Sequence, residues 1–102
     1  MAEFVAVAST SEVPPGRSKV VVAAGQIIAL FNVDGRFYAM SGTCLHRGGP
    51  VGEGELDGPI VTCPWHGWQY DVRTGQNVLN PMARLTSYTV KVENGAVFVA
   101  PT

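Results

Sequence analysis

Apolar positions along the chain fall in short runs between turn residues, and no apolar repeat at helical spacing persists for three turns. Phe4-Val5-Ala6-Val7 opens the series and gives way to the turn-rich stretch from Ser9 to Gly16, with its Pro14-Pro15-Gly16 breaker. Lys19 to Ala24 and Ile27 to Asn32 follow, parted at Gly25-Gln26. Asp34-Gly35 lies between Ile28-Ala29-Leu30-Phe31 and Phe37-Tyr38-Ala39-Met40, which predicts a hairpin with a type I′ turn. Near the end, Ser87-Tyr88-Thr89-Val90-Lys91-Val92 alternates polar and apolar, Asn94-Gly95 turns, and Ala96-Val97-Phe98-Val99 returns. Seven or more strands at this spacing predict an all-β fold, an antiparallel sandwich or small barrel.

Residues 42–82 break that rhythm. They hold most of the glycines, every Cys and His, and both Trp. The expected organisation is therefore one domain over 1–102, with a plain β base from both chain ends and an inserted loop-rich subdomain at about 42–82. Function belongs in the insertion, because loops on a rigid scaffold usually carry it.

Composition narrows the class without changing this picture. The 102 residues are 46% hydrophobic and 15% charged, with 12 Gly and 7 Pro, which fits a turn-rich globular chain. A net charge of −1 and the lack of a Lys/Arg run argue against nucleic acid or an anionic membrane surface as partner. The most apolar stretch, Val20 to Val33, is broken by Gly25, Gln26 and Asn32 and is shorter than the roughly 20 residues of a membrane span. Met1-Ala2-Glu3-Phe4 has no basic lead into an apolar segment, so the expected location is the cytoplasm. In a reducing compartment, two Cys near two His read as metal ligands before they read as a disulfide.

The candidate chemistry is Cys44-Leu45-His46 and, after sixteen intervening residues, Cys63-Pro64-Trp65-His66. Two thiolates and two imidazoles make a four-ligand set for a transition metal or cluster. Gly48-Gly49 and Gly67 just beyond allow close backbone approach and amides aimed at anionic sulfur. By donor type alone, structural Zn²⁺ remains an alternative, as does a disulfide with two ordinary histidines.

These residues resemble the Rieske iron–sulfur motif, Cys-x-His followed by Cys-x-x-His-Gly. The likeness runs through Cys63-Pro64-Trp65-His66-Gly67-Trp68-Gln69-Tyr70-Asp71, through Thr74-Gly75, and to Asn80-Pro81, which resembles the proline loop covering the cluster in that family. The resemblance implies one [2Fe–2S] cluster per chain, with Cys44 and Cys63 on the inner iron and His46 and His66 on the outer iron. It also implies the fold, a Rieske-like antiparallel base carrying a cluster-binding subdomain. Rieske centres span about −150 to +300 mV. High-potential members carry an extra Cys pair, where this chain has Gly49 and Trp65, and a Ser donor to sulfide, where it has Trp68. Tyr70 matches a Tyr that donates to a ligand sulfur. Fewer donors to sulfur place the expected potential near the low end, about −150 mV.

These departures resemble the Rieske ferredoxins serving ring-hydroxylating dioxygenases of aromatic hydrocarbon catabolism. The implied function is a soluble, monomeric one-electron carrier with transient contacts to a flavoprotein ferredoxin reductase and a terminal Rieske oxygenase. Both histidines are assigned to the cluster, and no dinucleotide or nucleophile-elbow motif is present, so no active site of its own is expected. A second reading is the small subunit of a larger reductase such as assimilatory nitrite reductase. Trp65, on the expected exposed tip, is a candidate docking residue, and Trp68 a packing residue. Glu53, Glu55 and Asp57 form either a solvated loop or an acidic contact for a partner.

Overall fold

Three hairpins with two-residue turns set the registers of the base, because each turn takes positive φ at both positions as a type I′ turn requires. The computed structural model describes residues 3–43, 50–65, 67–80 and 82–100. Strands β2 (Ser18–Ala23) and β3 (Gln26–Val33) are joined at Ala24-Gly25, with Ala23 opposite Gln26. Asp34-Gly35 joins β3 to β4 (Arg36–Ser41), with Val33 opposite Arg36. Asn94-Gly95 joins β9 (Ser87–Glu93) to β10 (Ala96–Ala100), with Glu93 opposite Ala96. Two of these turns are the ones the dipeptides predict. At the remaining one the expected strand ends too late, for Ala24 belongs to the turn with a φ of 50°.

With β1 (Val5–Ser9), the base is a six-stranded antiparallel sheet in the order β1-β10-β9-β4-β3-β2. Its edges β1 and β2 come together, which leaves a nearly closed barrel. The segment after β1 seals that seam. Val13 is fully buried, the Asn32 side chain donates to the Val13 carbonyl at 2.7 Å, and the Glu12 carboxylate pairs with Lys19 of β2.

A second antiparallel sheet holds β5 (Glu55–Asp57), β6 (Ile60–Thr62), β7 (Gln69–Asp71) and β8 (Gln76–Asn77), in that order. Its strands are only two or three residues long, and sequence pattern did not resolve them from the loop-rich insertion.

The two sheets meet on β3, whose residues 28 to 32 are all buried. Ile28 and Leu30 point into the barrel with Val13, Val21, Ala39, Val97 and Val99. Ala29 and Phe31 face outward onto Val51, Val61, Cys63, Tyr70 and Val72 of the insertion, together with Met40 and Leu85. A strand covered on both faces reads as an unbroken apolar run, which is why the pattern from Ile27 to Phe31 does not alternate. Among the described residues there is no helix long and apolar enough to cross a membrane.

Candidate metal centre

Of the four sequence-predicted ligands, Cys63 lies within the described residues; Cys44, His46 and His66 lie outside them, as do Arg47, Gly49 and Pro81. The residues flanking each candidate pair are nevertheless defined.

Cys63 follows β6 directly, and Thr62 pairs with Gln69 of β7, so 63–68 is a hairpin loop. The Cys63 amide donates to the Trp68 carbonyl at 2.7 Å, which narrows the open tip to 64–67. Gly67 has a φ of +73°, and a side chain there would be strained in closing the turn. The Cys63 side chain is 1% exposed and packs in the cluster shared with Tyr70, Val61 and Phe31. Trp65 at the tip is 49% exposed, as a docking residue requires, whereas Trp68 is half-buried and packs against the core, as expected.

Residues 44–49 span the gap between Thr43 and Pro50, which form an antiparallel bridge, and the Val51 amide donates to the Gly42 carbonyl at 3.1 Å. The described residues on either side of Cys44 and His46, the first candidate pair, are therefore held together. The two flanking segments are in contact: Val51 packs in the cluster that holds Cys63, and a Cβ on Gly54 would lie 2.1 Å from the Thr62 carbonyl oxygen. Only glycine permits that approach.

A third loop stands beside the Cys63 hairpin. The Val78 amide donates to the Gln69 carbonyl at 2.9 Å, and the Asn77 amide to the Ala83 carbonyl at 2.9 Å. The Asn77 side-chain oxygen accepts from the Leu79 and Asn80 amides, both at 2.9 Å, and Asn80 accepts from the Met82 amide at 3.1 Å. These Asx bonds fix the backbone of the loop that carries Asn80-Pro81. The loop presents Leu79, 92% exposed, and Met82, 91% exposed. Between it and the hairpin lies a cavity of about 380 Å³ lined by Gly67, Trp68, Gln69, Asn77, Leu79 and Asn80. Sequence reasoning passed over Leu79 and Met82, because isolated apolar residues are assigned by default to the core.

The acidic candidates Glu53, Glu55 and Asp57 are exposed, two of them on the edge strand β5. At the far end of β7, Asp71 is bound by Arg73 through two side-chain contacts of 3.0 and 2.7 Å. The Arg73 hydrogen bonds hold the Asp71 carboxyl below its ordinary range, against a smaller opposing effect of burial.

Comparison with known proteins places this geometry. The Rieske [2Fe–2S] domain matches residues 3–89. The chain is 35% identical over 96 residues to ferredoxin CarAc of Metapseudomonas resinovorans, covering 92% of this chain and 90% of that protein. It is 38% identical over 98 residues to the biphenyl dioxygenase ferredoxin subunit of Pseudomonas sp. (strain KKS102), covering 94% and 90%. In structure it matches a chain in the complex of reduced oxygenase and oxidized ferredoxin of carbazole 1,9a-dioxygenase, with TM-score 0.87, 34% identity and 95% and 92% coverage. The ferredoxin of carbazole 1,9a-dioxygenase from Nocardioides aromaticivorans IC177 superposes with TM-score 0.92 at 26% identity, over 99% of this chain and 100% of that one.

Proposed function

The chain belongs to the Rieske [2Fe–2S] domain family, and from that premise we propose that it carries single electrons from a flavoprotein reductase to a terminal oxygenase of an aromatic-ring dioxygenase system. The observation that carries this reading is coextensive likeness to ferredoxin components. The match spans 90% of ferredoxin CarAc, but only 29% of the terminal oxygenase chain of carbazole 1,9a-dioxygenase from Novosphingobium sp. KA1, which it also resembles. Those names favour a carrier over the small subunit of a larger reductase.

The residues fit the family's cofactor. A thiol buried at the base of a short hairpin, with a positive-φ glycine closing the tip, is a site for a sulfur-ligated group shielded from water. We assign Cys44 and Cys63 as the thiolate ligands and His46 and His66 as the imidazole ligands. The [2Fe–2S] cluster supplies one-electron redox chemistry when bound. Cys63, held at 1% exposure, contributes a ligand that solvent cannot reach. Tyr70, fully buried in the same cluster of side chains, is assigned as the hydroxyl donor to a ligand sulfur. Trp68 stands where high-potential relatives place a Ser donor, so the potential lies at about −150 mV. The 42–82 region is the cluster-binding part of a single 1–102 domain. With both histidines engaged as ligands, the chain has no catalytic site of its own and acts as a cytoplasmic monomer.

The test is anaerobic reconstitution followed by metal and sulfide analysis, EPR of the dithionite-reduced protein, and a redox titration. Equal iron and acid-labile sulfide with a mixed His/Cys signal is the expected result. Stoichiometric zinc without sulfide would remove the basis of the reading. A midpoint above about +100 mV would refute the low-potential placement alone.

A further inference from the structure

Apart from the assigned ligands, two of the loops around the site carry no formally charged residue. No Asp, Glu, Lys or Arg occurs between Asp57 and Asp71 or between Arg73 and Arg84, although the chain has 15 such residues. On this uncharged ground stand the most exposed large apolar side chains of the described residues, Leu79 at 92% and Met82 at 91%. Val78 at 47% and Trp65 at 49% lie on the same two adjoining loops. The Asn77 and Asn80 side chains hold the backbone beneath Leu79 and Met82 through three hydrogen bonds of 2.9 to 3.1 Å, so the anchors are presented without a large ordering cost. The cavity of about 380 Å³ between Trp68 and Leu79 adds a concave seat next to the protruding pair.

Exposed apolar side chains gathered on adjoining loops without Asp, Glu, Lys or Arg are the makings of a protein contact, because apolar surface of this kind is costly to leave in water. We propose, on the reading of the chain as a ferredoxin of a dioxygenase system, that Leu79 and Met82 are the anchors of the docking face for the terminal oxygenase. The partner surface they fit is apolar and uncharged, with a recess for the two side chains and a knob for the Trp68–Leu79 cavity. Continuity with the Cys63 hairpin puts this face beside the redox site, where a short electron path needs the oxygenase to sit. The likeness to a chain in an oxygenase–ferredoxin complex supports that occupant over the reductase. Because these two loops carry no Asp, Glu, Lys or Arg, the association depends only weakly on ionic strength, unlike contacts steered by complementary charged side chains.

The experiment uses the cluster-loaded protein, pre-reduced, mixed with the terminal oxygenase of a carbazole or biphenyl dioxygenase system over a range of oxygenase concentrations. Each encounter passes one electron from the ferredoxin to the oxygenase, and the loss of the reduced ferredoxin spectrum reports it. Leu79→Ser and Met82→Ser should each raise the half-saturating oxygenase concentration about tenfold, leaving the limiting rate, EPR signal and redox potential unchanged. Half-saturation of the wild type should shift less than about twofold between 50 and 300 mM salt. Variants that saturate like the wild type overturn the docking face while leaving the ferredoxin reading intact. A second arm follows reduction of the oxidised variants by the flavoprotein reductase, and a defect confined to that arm likewise overturns the docking face, since it would seat the other partner there. A loaded wild type that reduces neither oxygenase overturns the ferredoxin reading, and this proposal with it. Glu55→Lys, outside the face, should leave half-saturation unchanged.

Discussion

The six-stranded base and the four-stranded insertion are both antiparallel sheets, yet they are held by different means. The base has strands of five to eight residues, three type I′ turns and its own buried interior of Val13, Ile28, Leu30, Val97 and Val99. The insertion has strands of two or three residues, and its apolar side chains find cover against Ala29, Phe31 and Met40 of the base. Sheets so short do not stand alone in water. What compensates is loop chemistry: Asx bonds from Asn77 and glycine approaches at Gly54 and Gly75. At Gly75, where φ is +82°, a Cβ would sit 2.1 Å from the Leu85 carbonyl oxygen. The base is specified by burial and the insertion by backbone fit, and the proposed ligation makes the insertion expected to depend further on its cluster.

The largest expected effect tests that dependence. Cys63→Ala removes the proposed ligand at the buried end of the hairpin, so the variant should lose the iron–sulfur visible spectrum entirely. Protection of amides in 42–82 should fall in hydrogen exchange, while amides of β3, β4, β9 and β10 keep theirs. A variant that retains the spectrum would refute Cys63 as a ligand, and uniform loss of protection would refute the separation of the two regions.

A smaller effect comes from β3, which serves both regions through opposite faces. Phe31→Ala opens the insertion side and Leu30→Ala opens the barrel side, each at a cost of about 3 kcal/mol. In urea, Phe31→Ala should bring loss of the cluster spectrum well ahead of loss of the far-UV signal. Leu30→Ala should draw both transitions down together. Identical behaviour of the two variants would mean that the sheets unfold as one unit.

The same contrast explains what the sequence made legible. Asp34-Gly35 and Asn94-Gly95 announce their turns because those residue types take positive φ at little cost. Ala24-Gly25 does not, since Ala rarely adopts a φ of 50°, and the strand end was misplaced there by one residue. The unbroken apolar run of β3 reads plainly as a strand, but its double burial is visible only once a second sheet lies on it. Strands as short as Gln76–Asn77 have no period to detect, so the insertion looked like loop. Cys63-Pro64-Trp65-His66 was legible as chemistry because its donor types are rare and closely spaced. Leu79 and Met82 were not, because nothing local to an apolar residue says that its backbone is pinned outward.

The smallest effect isolates an electrostatic contribution within the insertion. The Arg73 guanidinium holds the Asp71 carboxyl below its ordinary range, and this ion pair spans the turn after β7. A carboxyl whose folded pKa is depressed contributes stability above its unfolded pKa of about 3.9 and loses it as pH falls through the folded value. The pair is partly solvated, so its contribution is small. Asp71→Asn should therefore lower stability slightly at neutral pH and flatten the part of the acid limb below about pH 4, measured by urea midpoints from pH 6 down to 2.5. Because Asp71 is in the insertion, the change should register in the fluorescence of Trp65 and Trp68, both in that region, and leave the far-UV transition of the base in place. An equal shift in both signals would show that the turn after β7 is coupled to the whole barrel, and that the division drawn between the sheets does not extend to this edge.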